Sequence, residues 1–211
     1  MMITPMEQLL LVRLAEALPH EGELVSLLNE PLKGKALRYV RAEDRVRSAV
    51  ASLLIRRYVG EGNLRYGEHG KPFMDGARQF NISHGGGFVG IFVSDKEVGL
   101  DIEEISRCDL KIVPAAMTAS ERMTILTQED FAYAWTWKES VSKCLGTGIE
   151  KPTEIGLERQ SMRRFGFRGE TYYVESYETE GHVVSLARGS EGEFPKPTFV
   201  SIEELVDETA V

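Results

Sequence analysis

Residues 135–143, with the sequence Trp-Thr-Trp-Lys-Glu-Ser-Val-Ser-Lys, constrain the fold of this chain more than any other stretch. Because an α-helix completes one turn in about 3.6 residues, Glu139 and Lys143 project from the same helix face. That face could place a carboxylate beside a metal ion and an ammonium group beside a phosphate. The same spacing is also that of an ordinary surface ion pair, which stabilises many helices. The choice depends on the partners that the rest of the chain supplies.

The composition of the 211 residues is that of a globular protein large enough to bury its own core. The net charge of -8 argues against nucleic acid as a partner, because phosphate backbones select basic surfaces. No apolar run is long enough to span a membrane, and the N-terminus lacks the pattern of a secretory signal. Cys108 and Cys144 do not have metal-site spacing, which favours free thiols. We therefore expect a cytoplasmic protein that binds neither nucleic acid nor membrane.

Helices and strands are mixed along the sequence without regular β-α-β alternation, which predicts the α+β class. A long helix is predicted to end near Tyr58, and capping boxes at Thr118 and Thr127 predict the starts of two further helices. Strands are predicted at residues 88–93, 98–102, 155–160, 164–167, 172–177, 182–187 and, as a last edge strand, 198–202. Residues 9–14 are apolar enough for either a helix or a buried strand, and periodicity does not decide between them.

Asp101 and Glu103 lie two residues apart at the end of a predicted strand, so both carboxylates project from the same face. Two like charges held this close raise each other's pKa, and a divalent cation would relieve the repulsion. Paired carboxylate oxygens suit Mg²⁺, which binds few protein ligands together with water and substrate phosphates. An exposed strand end with two solvated acids is the alternative that this motif alone leaves open.

Several basic and hydroxyl side chains are candidates for binding phosphate. Ser83 and His84 precede three glycines, which allow a ligand to approach the backbone closely. Lys71 lies in a glycine–lysine–proline turn, and Lys35 belongs to the basic stretch at residues 33–41. Each also has an ordinary structural interpretation: a hydrogen-bonded histidine, an exposed turn lysine or a solvated helix face. Taken singly, none of these features identifies a function.

In this order and spacing, the motifs resemble those of the 4'-phosphopantetheinyl transferase family, in particular its larger, surfactin-synthetase-activating type. The resemblance rests on Gly-x-Asp-x-Glu at residues 99–103, on Trp-x-x-Lys-Glu-Ser-x-x-Lys at residues 135–143, and on shorter matches at residues 43–45, 70–72 and 80–84. It implies a monomer of two similar α/β halves, residues 1–104 and 105–211. A pseudo-twofold axis would relate the halves, with the active site at their interface. It also implies a strand at residues 9–14.

The resemblance implies a role for each candidate residue. Asp101, Glu103 and Glu139 would hold Mg²⁺, with Mn²⁺ as an alternative, against the pyrophosphate of coenzyme A. Lys143 would contact that pyrophosphate. The other side chains expected to line the coenzyme A site are Lys35, Ser48, Lys71, Ser83 and His84.

Three positions depart from the family pattern or leave a choice open. Gly85 stands where the family often has a hydroxyl residue after the histidine. The first basic position of the family falls near Leu32, with Lys33 as its substitute. Glu121 matches an acid that holds a metal-linked water in some members, but it also fits a capping box.

The activity implied is transfer of 4'-phosphopantetheine from coenzyme A to a serine of an apo acyl or peptidyl carrier protein, with release of 3',5'-ADP. Glu139 would accept the serine proton, Lys143 would stabilise the leaving group, and Asp101 would act through the metal. Carrier docking is expected at an apolar patch near residues 117–123, between the halves. Trp135 and Trp137 are expected to pack the helix against the other half. The alternatives are a Mg²⁺-dependent nucleotide phosphohydrolase and a non-catalytic protein that binds coenzyme A or a carrier.

Overall fold

The computed structural model describes residues 7–154 and 156–207. The helices are α1 (Leu14–Ala17), α2 (Glu21–Ser26), α3 (Leu32–Leu37), α4 (Ala42–Tyr58), α5 (Val113–Ala116), α6 (Ala119–Arg122), α7 (Gln128–Leu145) and α8 (Ile202–Val206). The strands are β1 (Gln8–Arg13), β2 (Arg65–Tyr66), β3 (Pro72–Phe73), β4 (Gln79–Gly85), β5 (Phe88–Ser94), β6 (Val98–Glu104), β7 (Glu158–Arg159), β8 (Arg164–Phe167), β9 (Glu170–Thr179), β10 (His182–Arg188) and β11 (Pro197–Phe199).

Most of the described strands form two mainly antiparallel sheets. The first has the order β11-β1-β5-β4, in which β1 runs antiparallel to β5 and parallel to β11. The second has the order β6-β10-β9-β8-β7 and is antiparallel throughout. Helices and strands are therefore mixed without β-α-β crossovers in the sheets, and the predicted α+β class is confirmed.

Each sheet carries one long helix. Helix α4 buries an apolar stripe that includes Val46, Val50 and Leu53 in the core of the first sheet. Helix α7 begins at the predicted capping box, in which Thr127 and Asp130 exchange hydrogen bonds, and ends at Gly146. Gly146 has a φ of 71°, which is the left-handed conformation that glycine adopts most easily at a helix end. Helix α7 thus starts and stops where local sequence signals place it, and α4 ends at Tyr58 as predicted.

Helix α7 approaches strand β6 closely because residue 99 is glycine. A Cβ atom at Gly99 would lie 1.8 Å from the carbonyl oxygen of Ser140 and 2.5 Å from the backbone nitrogen of Cys144. No side chain fits between the two backbones, so glycine allows the helix to lie directly on the strand. This packing brings the α7 residues Glu139 and Lys143 to the strand that carries Asp101.

Strand predictions succeed in the body of the sheets and fail at one end of the chain. Strands at 88–93, 98–102, 164–167, 172–177 and 182–187 are confirmed, and residues 9–14 lie mainly in β1. The prediction for 155–160 is met only by the short β7, and Ile155 lies outside the described residues. The prediction for 198–202 is wrong at its end. Strand β11 stops at Phe199, and Ser201 caps α8 by accepting a hydrogen bond from the Glu204 backbone N–H (3.1 Å).

Strand pairing crosses the predicted boundary between residues 104 and 105 in both directions. Strand β6 pairs with β10 of the second sheet, whereas β11 near the C-terminus pairs with β1. The buried side chain of Asn81 in β4 also accepts a hydrogen bond from the Leu100 backbone N–H in β6 (2.8 Å). The division into two halves stays a prediction. Within residues 7–154 and 156–207, no helix is long and apolar enough to cross a membrane.

Candidate active site

A cavity of about 760 Å³ opens where helices α3, α4 and α7 meet strands β4 and β6. Residues from both sheets and their helices therefore line one space. The predicted site residues found in its lining are Lys35, Ser48, Ser83, His84, Asp101, Glu103, Glu139 and Lys143. Lys71 is the predicted site residue that is not in this lining, although its neighbours Gly70 and Pro72 are.

The carboxylates of Asp101, Glu103 and Glu139 in the cavity lining are here called the acidic wall. Lys143 contacts Asp101 directly in this wall. Lys143 Nζ lies 2.5 Å from Asp101 Oδ1 and 3.2 Å from Ser83 Oγ, and the Ser83 hydroxyl also donates to Asp101 Oδ1 at 3.2 Å. Asp101 is only 4% exposed, and its Oδ2 is buried without a hydrogen-bond partner. One oxygen of this carboxylate therefore contacts Lys143, while the other has no hydrogen-bond partner among the described residues.

The electrostatics of the wall show an excess of negative charge. Burial, together with the charges of Asp101 and Glu139, raises the pKa of Glu103 to about 7, although Lys143 and a hydrogen bond from Trp135 oppose the shift. Burial and the Asp101 charge also raise the pKa of Glu139. Burial alone would lower the pKa of Lys143, but the carboxylates, Asp101 above all, outweigh it and raise that pKa. Binding of a proton or a cation would therefore reduce the repulsion between these carboxylates.

The carboxylates of Asp101, Glu103 and Glu139 could hold a divalent cation. Their chemistry suits one, because oxygen ligands, mutual repulsion and an unpaired buried oxygen are what Mg²⁺ would compensate. In the arrangement described here, with Lys143 on Asp101 Oδ1, no group of three His, Cys, Asp or Glu side chains in the described part of the chain is placed to hold a metal ion. Binding a cation therefore requires these side chains to rearrange.

The cavity lining also carries basic and hydroxyl groups, among them Lys35, Ser48 and His84. Lys35 Nζ lies 5.3 Å from the centroid of the Tyr66 ring, a distance typical of a cation–π contact. Burial lowers the pKa of His84, and the charges of Arg47 and Lys143 lower it further. A neutral imidazole beside cationic groups would gain a proton more easily once a phosphate entered. These groups could therefore bind an anionic group.

Arg47 lines the cavity, although it is not among the site residues predicted from the sequence. Its guanidinium donates to Asp44 Oδ1 (2.9 Å) and to the Gly86 carbonyl (3.0 Å), and its Nε is buried without a partner. A polar stripe on α4 is the sequence signal that indicates Arg47. Asp44, Ser48 and Ser52 recur at one-turn spacing on a side of the helix distinct from the apolar stripe, and Arg47 follows Asp44 by three residues on that side.

Glu121 has a structural role. Its Oε2 accepts hydrogen bonds from the Thr118 backbone N–H and from Lys138 Nζ, both at 2.8 Å, and its Oε1 accepts from the Leu157 N–H at 3.0 Å. Burial would raise its pKa, but Lys138 and these backbone donors outweigh that effect and lower it. The predicted capping box is confirmed, and the structure does not bring Glu121 into the cavity lining.

Gly85 cannot carry a side chain in this arrangement. A Cβ atom there would lie 2.0 Å from the carbonyl oxygen of Ile102, so strand β6 occupies the space that a hydroxyl side chain would need. At the other departure from the family pattern, Leu32 lies in the cavity lining and Lys33 does not. Arg47 is the basic residue that the structure adds to this region.

The two tryptophans of α7 differ in their surroundings. Trp137 packs against Phe165 at a centroid distance of 5.2 Å, and its indole N–H donates to Ser176 Oγ (2.8 Å). Both partners lie in the same predicted half as Trp137, so the prediction that it packs the helix against the other half is wrong. Trp135 also packs against Phe131, but it lines the cavity and donates to Glu103. The packing prediction is therefore incomplete for Trp135.

The predicted docking patch is wrong at Met117. This side chain is fully buried, with 0% exposure, in a cluster with Phe131 and Val113. A charge introduced there would disrupt the fold and would report nothing about docking. Met123 and Leu126, which are 82% and 80% exposed, are the apolar side chains that this region presents to solvent.

We predict that Glu103 makes the metal-free protein less stable as the pH rises. The folded state keeps this proton up to a pKa of about 7, whereas an ordinary glutamate loses it near 4.5. Between these values the unfolded state binds fewer protons, so the Glu103 contribution to stability is lost with increasing pH. Calorimetric melting of wild type and Glu103→Gln should show the variant gaining in relative Tm from pH 5 to pH 8. A constant difference in Tm would contradict this prediction.

Comparison with known proteins shows which proteins parts of this chain resemble. Residues 97–187, which contain β6, α7 and the acidic wall, match the family model of the 4'-phosphopantetheinyl transferase superfamily. The chain is 37% identical over 130 residues to the 4'-phosphopantetheinyl transferase gsp of Aneurinibacillus migulanus, an alignment that covers 55% of each protein. It is 26% identical over 150 residues to the 4'-phosphopantetheinyl transferase of Bacillus subtilis, covering 64% of this chain and 67% of that one.

A further relative, the 4'-phosphopantetheinyl transferase psf-1 of Bacillus pumilus, is 40% identical over 76 residues, which is 33% of each protein. The chain is thus similar to the 4'-phosphopantetheinyl transferase superfamily over residues 97–187. The matched part spans about half the length of the first of these relatives.

Proposed function

We propose that this protein transfers the 4'-phosphopantetheine group of coenzyme A to a serine of an apo acyl or peptidyl carrier protein and releases 3',5'-ADP. The observation that supports this most strongly is that one cavity is lined by two kinds of group. Asp101, Glu103 and Glu139 supply carboxylates, and Lys35 and His84 supply phosphate-binding chemistry. A coenzyme with a pyrophosphate and a separate 3'-phosphate could use both, with a cation between its pyrophosphate and the carboxylates.

The roles of the individual residues follow from this arrangement. A divalent cation, Mg²⁺ or Mn²⁺, would be held by Asp101, Glu103 and Glu139 and would neutralise pyrophosphate charge. Glu139, whose pKa burial raises, accepts the proton of the carrier serine as the hydroxyl attacks the β-phosphorus. Lys143 stabilises the oxygen of the departing 3',5'-ADP. Phosphoryl transfer depends mainly on positioning and charge neutralisation, which these residues provide.

We also propose the pseudo-twofold arrangement of two halves in a monomer. Its support is a shared order of elements: β1, long helix α4 and hairpin β4–β5 in one half, and β6, long helix α7 and hairpin β9–β10 in the other. In each sheet the leading strand pairs antiparallel with the second strand of the hairpin. The active-site cavity then collects residues of both halves.

The proposal is tested by measuring 3',5'-ADP release from coenzyme A and Mg²⁺ with and without an apo carrier protein. Transfer predicts release only when the carrier is present, in a one-to-one ratio with modified carrier. Hydrolysis of coenzyme A without the carrier would instead support the phosphohydrolase alternative. Binding of coenzyme A or carrier with no release would support the non-catalytic alternative.

We predict that Met123→Glu weakens carrier docking. A charge on this exposed methionine would remove apolar contact and repel an acidic carrier, so the KM for the carrier should rise about tenfold while the KM for coenzyme A stays unchanged. Met162→Glu is the matched control, because Met162 is 83% exposed and lies in the loop before β8. Equal kinetics for both variants would argue against docking at Met123.

A further inference from the structure

Lys71 has well-defined contacts outside the main cavity. Its Nζ donates to the carbonyl oxygens of Cys144 (3.0 Å) and Val98 (3.2 Å) and pairs with Glu97 Oε2 at 2.6 Å. The Lys71 side chain is only 15% exposed, whereas Glu97 is 64% exposed. Ion pairs with such an exposed partner contribute little, so the two backbone contacts define the position of the ammonium group.

These backbone contacts join two elements of the active site. Cys144 lies in the last turn of α7, directly after Lys143, and Val98 begins β6, three residues before Asp101. At the end of α7 the Gly146 N–H donates to the Ser142 and Lys143 carbonyls, while the Cys144 carbonyl accepts from Lys71. A cation at a helix C-terminus also interacts favourably with the helix dipole.

We infer that Lys71 is a positioning residue, which ties the end of helix α7 to the start of strand β6 and so keeps Lys143 against Asp101. The inference rests on the proposed function and deepens it. It differs from a direct contact with coenzyme A, because the ammonium already donates to three oxygens of the protein and lies outside the lining of the main cavity. In this role the lysine acts on the reaction through Lys143.

The test is Lys71→Met, which keeps the aliphatic chain and removes the ammonium group. Loss of the bridge should speed hydrogen exchange at the Gly146 and Thr147 amides by about tenfold. The kcat of transfer should fall about tenfold to a hundredfold, with a less than about twofold change in the affinity for coenzyme A. Lys71→Arg, which keeps a cation, should recover most of the exchange protection and of kcat.

Lys96→Met is the matched control, since the ammonium group of this exposed lysine donates to the side chain of Ser190 (3.2 Å), away from α7, and it should leave exchange and kinetics unchanged. Weaker coenzyme A binding with unchanged exchange would make Lys71 a ligand contact and overturn the inference, as would no change at all. If Lys71→Met does not fold, Lys71→Gln, which removes the cation but can keep one of the backbone hydrogen bonds, should show the same changes to a smaller extent, and no change in exchange would again overturn the inference.

Hydrogen exchange separates this inference from the proposed function, because it is measured on the protein alone. Faster exchange in Lys71→Met together with no carrier modification by the wild type would support the bridge and contradict the proposed transfer. Carrier modification by the wild type together with unchanged exchange in Lys71→Met would support the proposed transfer and contradict the bridge.

Discussion

Replacing Asp101 with asparagine is expected to lower kcat/KM for carrier modification by about a thousandfold. Asparagine has the same shape and can still accept the hydrogen bond of Ser83, so the strand should keep its conformation. The variant removes the charge that holds Lys143 at 2.5 Å and takes the negative charge from Oδ2, the buried oxygen that has no partner in the protein. Both changes would alter the charge that surrounds the reacting phosphates. Asp75→Asn is the control, because Asp75 forms only an exposed ion pair with Arg65.

A double variant shows whether Asp101 and Lys143 act together. If Lys143 works through its position against Asp101, then Asp101→Asn combined with Lys143→Met should be no worse than the poorer single variant by more than about threefold. Losses that multiply would mean that the two residues act independently. Activity of Asp101→Asn within a few fold of wild type would contradict the assignment of Asp101 to the site.

Replacing Gly99 with alanine is expected to lower the free energy of unfolding by about 3 kcal/mol or more. The new Cβ would lie 1.8 Å from the Ser140 carbonyl oxygen, and backbone atoms cannot rotate away as side chains do. Helix α7 must therefore shift away from β6, which also moves Glu139 and Lys143. Urea unfolding measures the stability, and transfer assays below the unfolding transition measure the displacement.

Gly22→Ala provides the contrast for this experiment. Gly22 lies in helix α2, and no atom lies within 4 Å of the position that its Cβ would take. Alanine there should change stability by no more than about 1 kcal/mol, in the stabilising direction, because alanine favours helix more than glycine does. Equal effects of the two substitutions would contradict the close packing of α7 on β6.

Local signals in the sequence predict the elements of this fold well. The capping box at Thr127 and the glycine at 146 place both ends of α7, and period-two spacing places Asp101 and Glu103 on one face. The first strand needed the family resemblance, because an apolar run such as residues 9–14 has no periodicity that separates helix from strand. The predicted strand at residues 198–202 is wrong for residues 200–202, because Ser201 caps a helix there.

Local patterns in the sequence do not predict contacts between residues that are distant in the chain. The sequence predicts Lys71 in the coenzyme A site, and the structure adds contacts of its ammonium group with Val98 and Cys144; no local pattern reveals a contact across 73 residues. The prediction of Met117 at a surface is wrong, because tertiary packing buries it. The choice between two roles for Glu121 depends on its contact with the buried Lys138. In each case the surroundings of the side chain depend on elements distant in the chain.

The intact mass of an apo carrier protein, measured after incubation with this protein, coenzyme A and Mg²⁺, shows whether phosphopantetheine is transferred. We expect the carrier to gain one phosphopantetheine group with wild type, and we expect Glu139→Gln and removal of Mg²⁺ by chelation each to suppress the gain. Glu129→Gln, at an exposed acid in the first turn of the same helix, should leave the gain unchanged. An unmodified carrier with the folded wild-type protein, or full modification by Glu139→Gln, would contradict the proposed transfer.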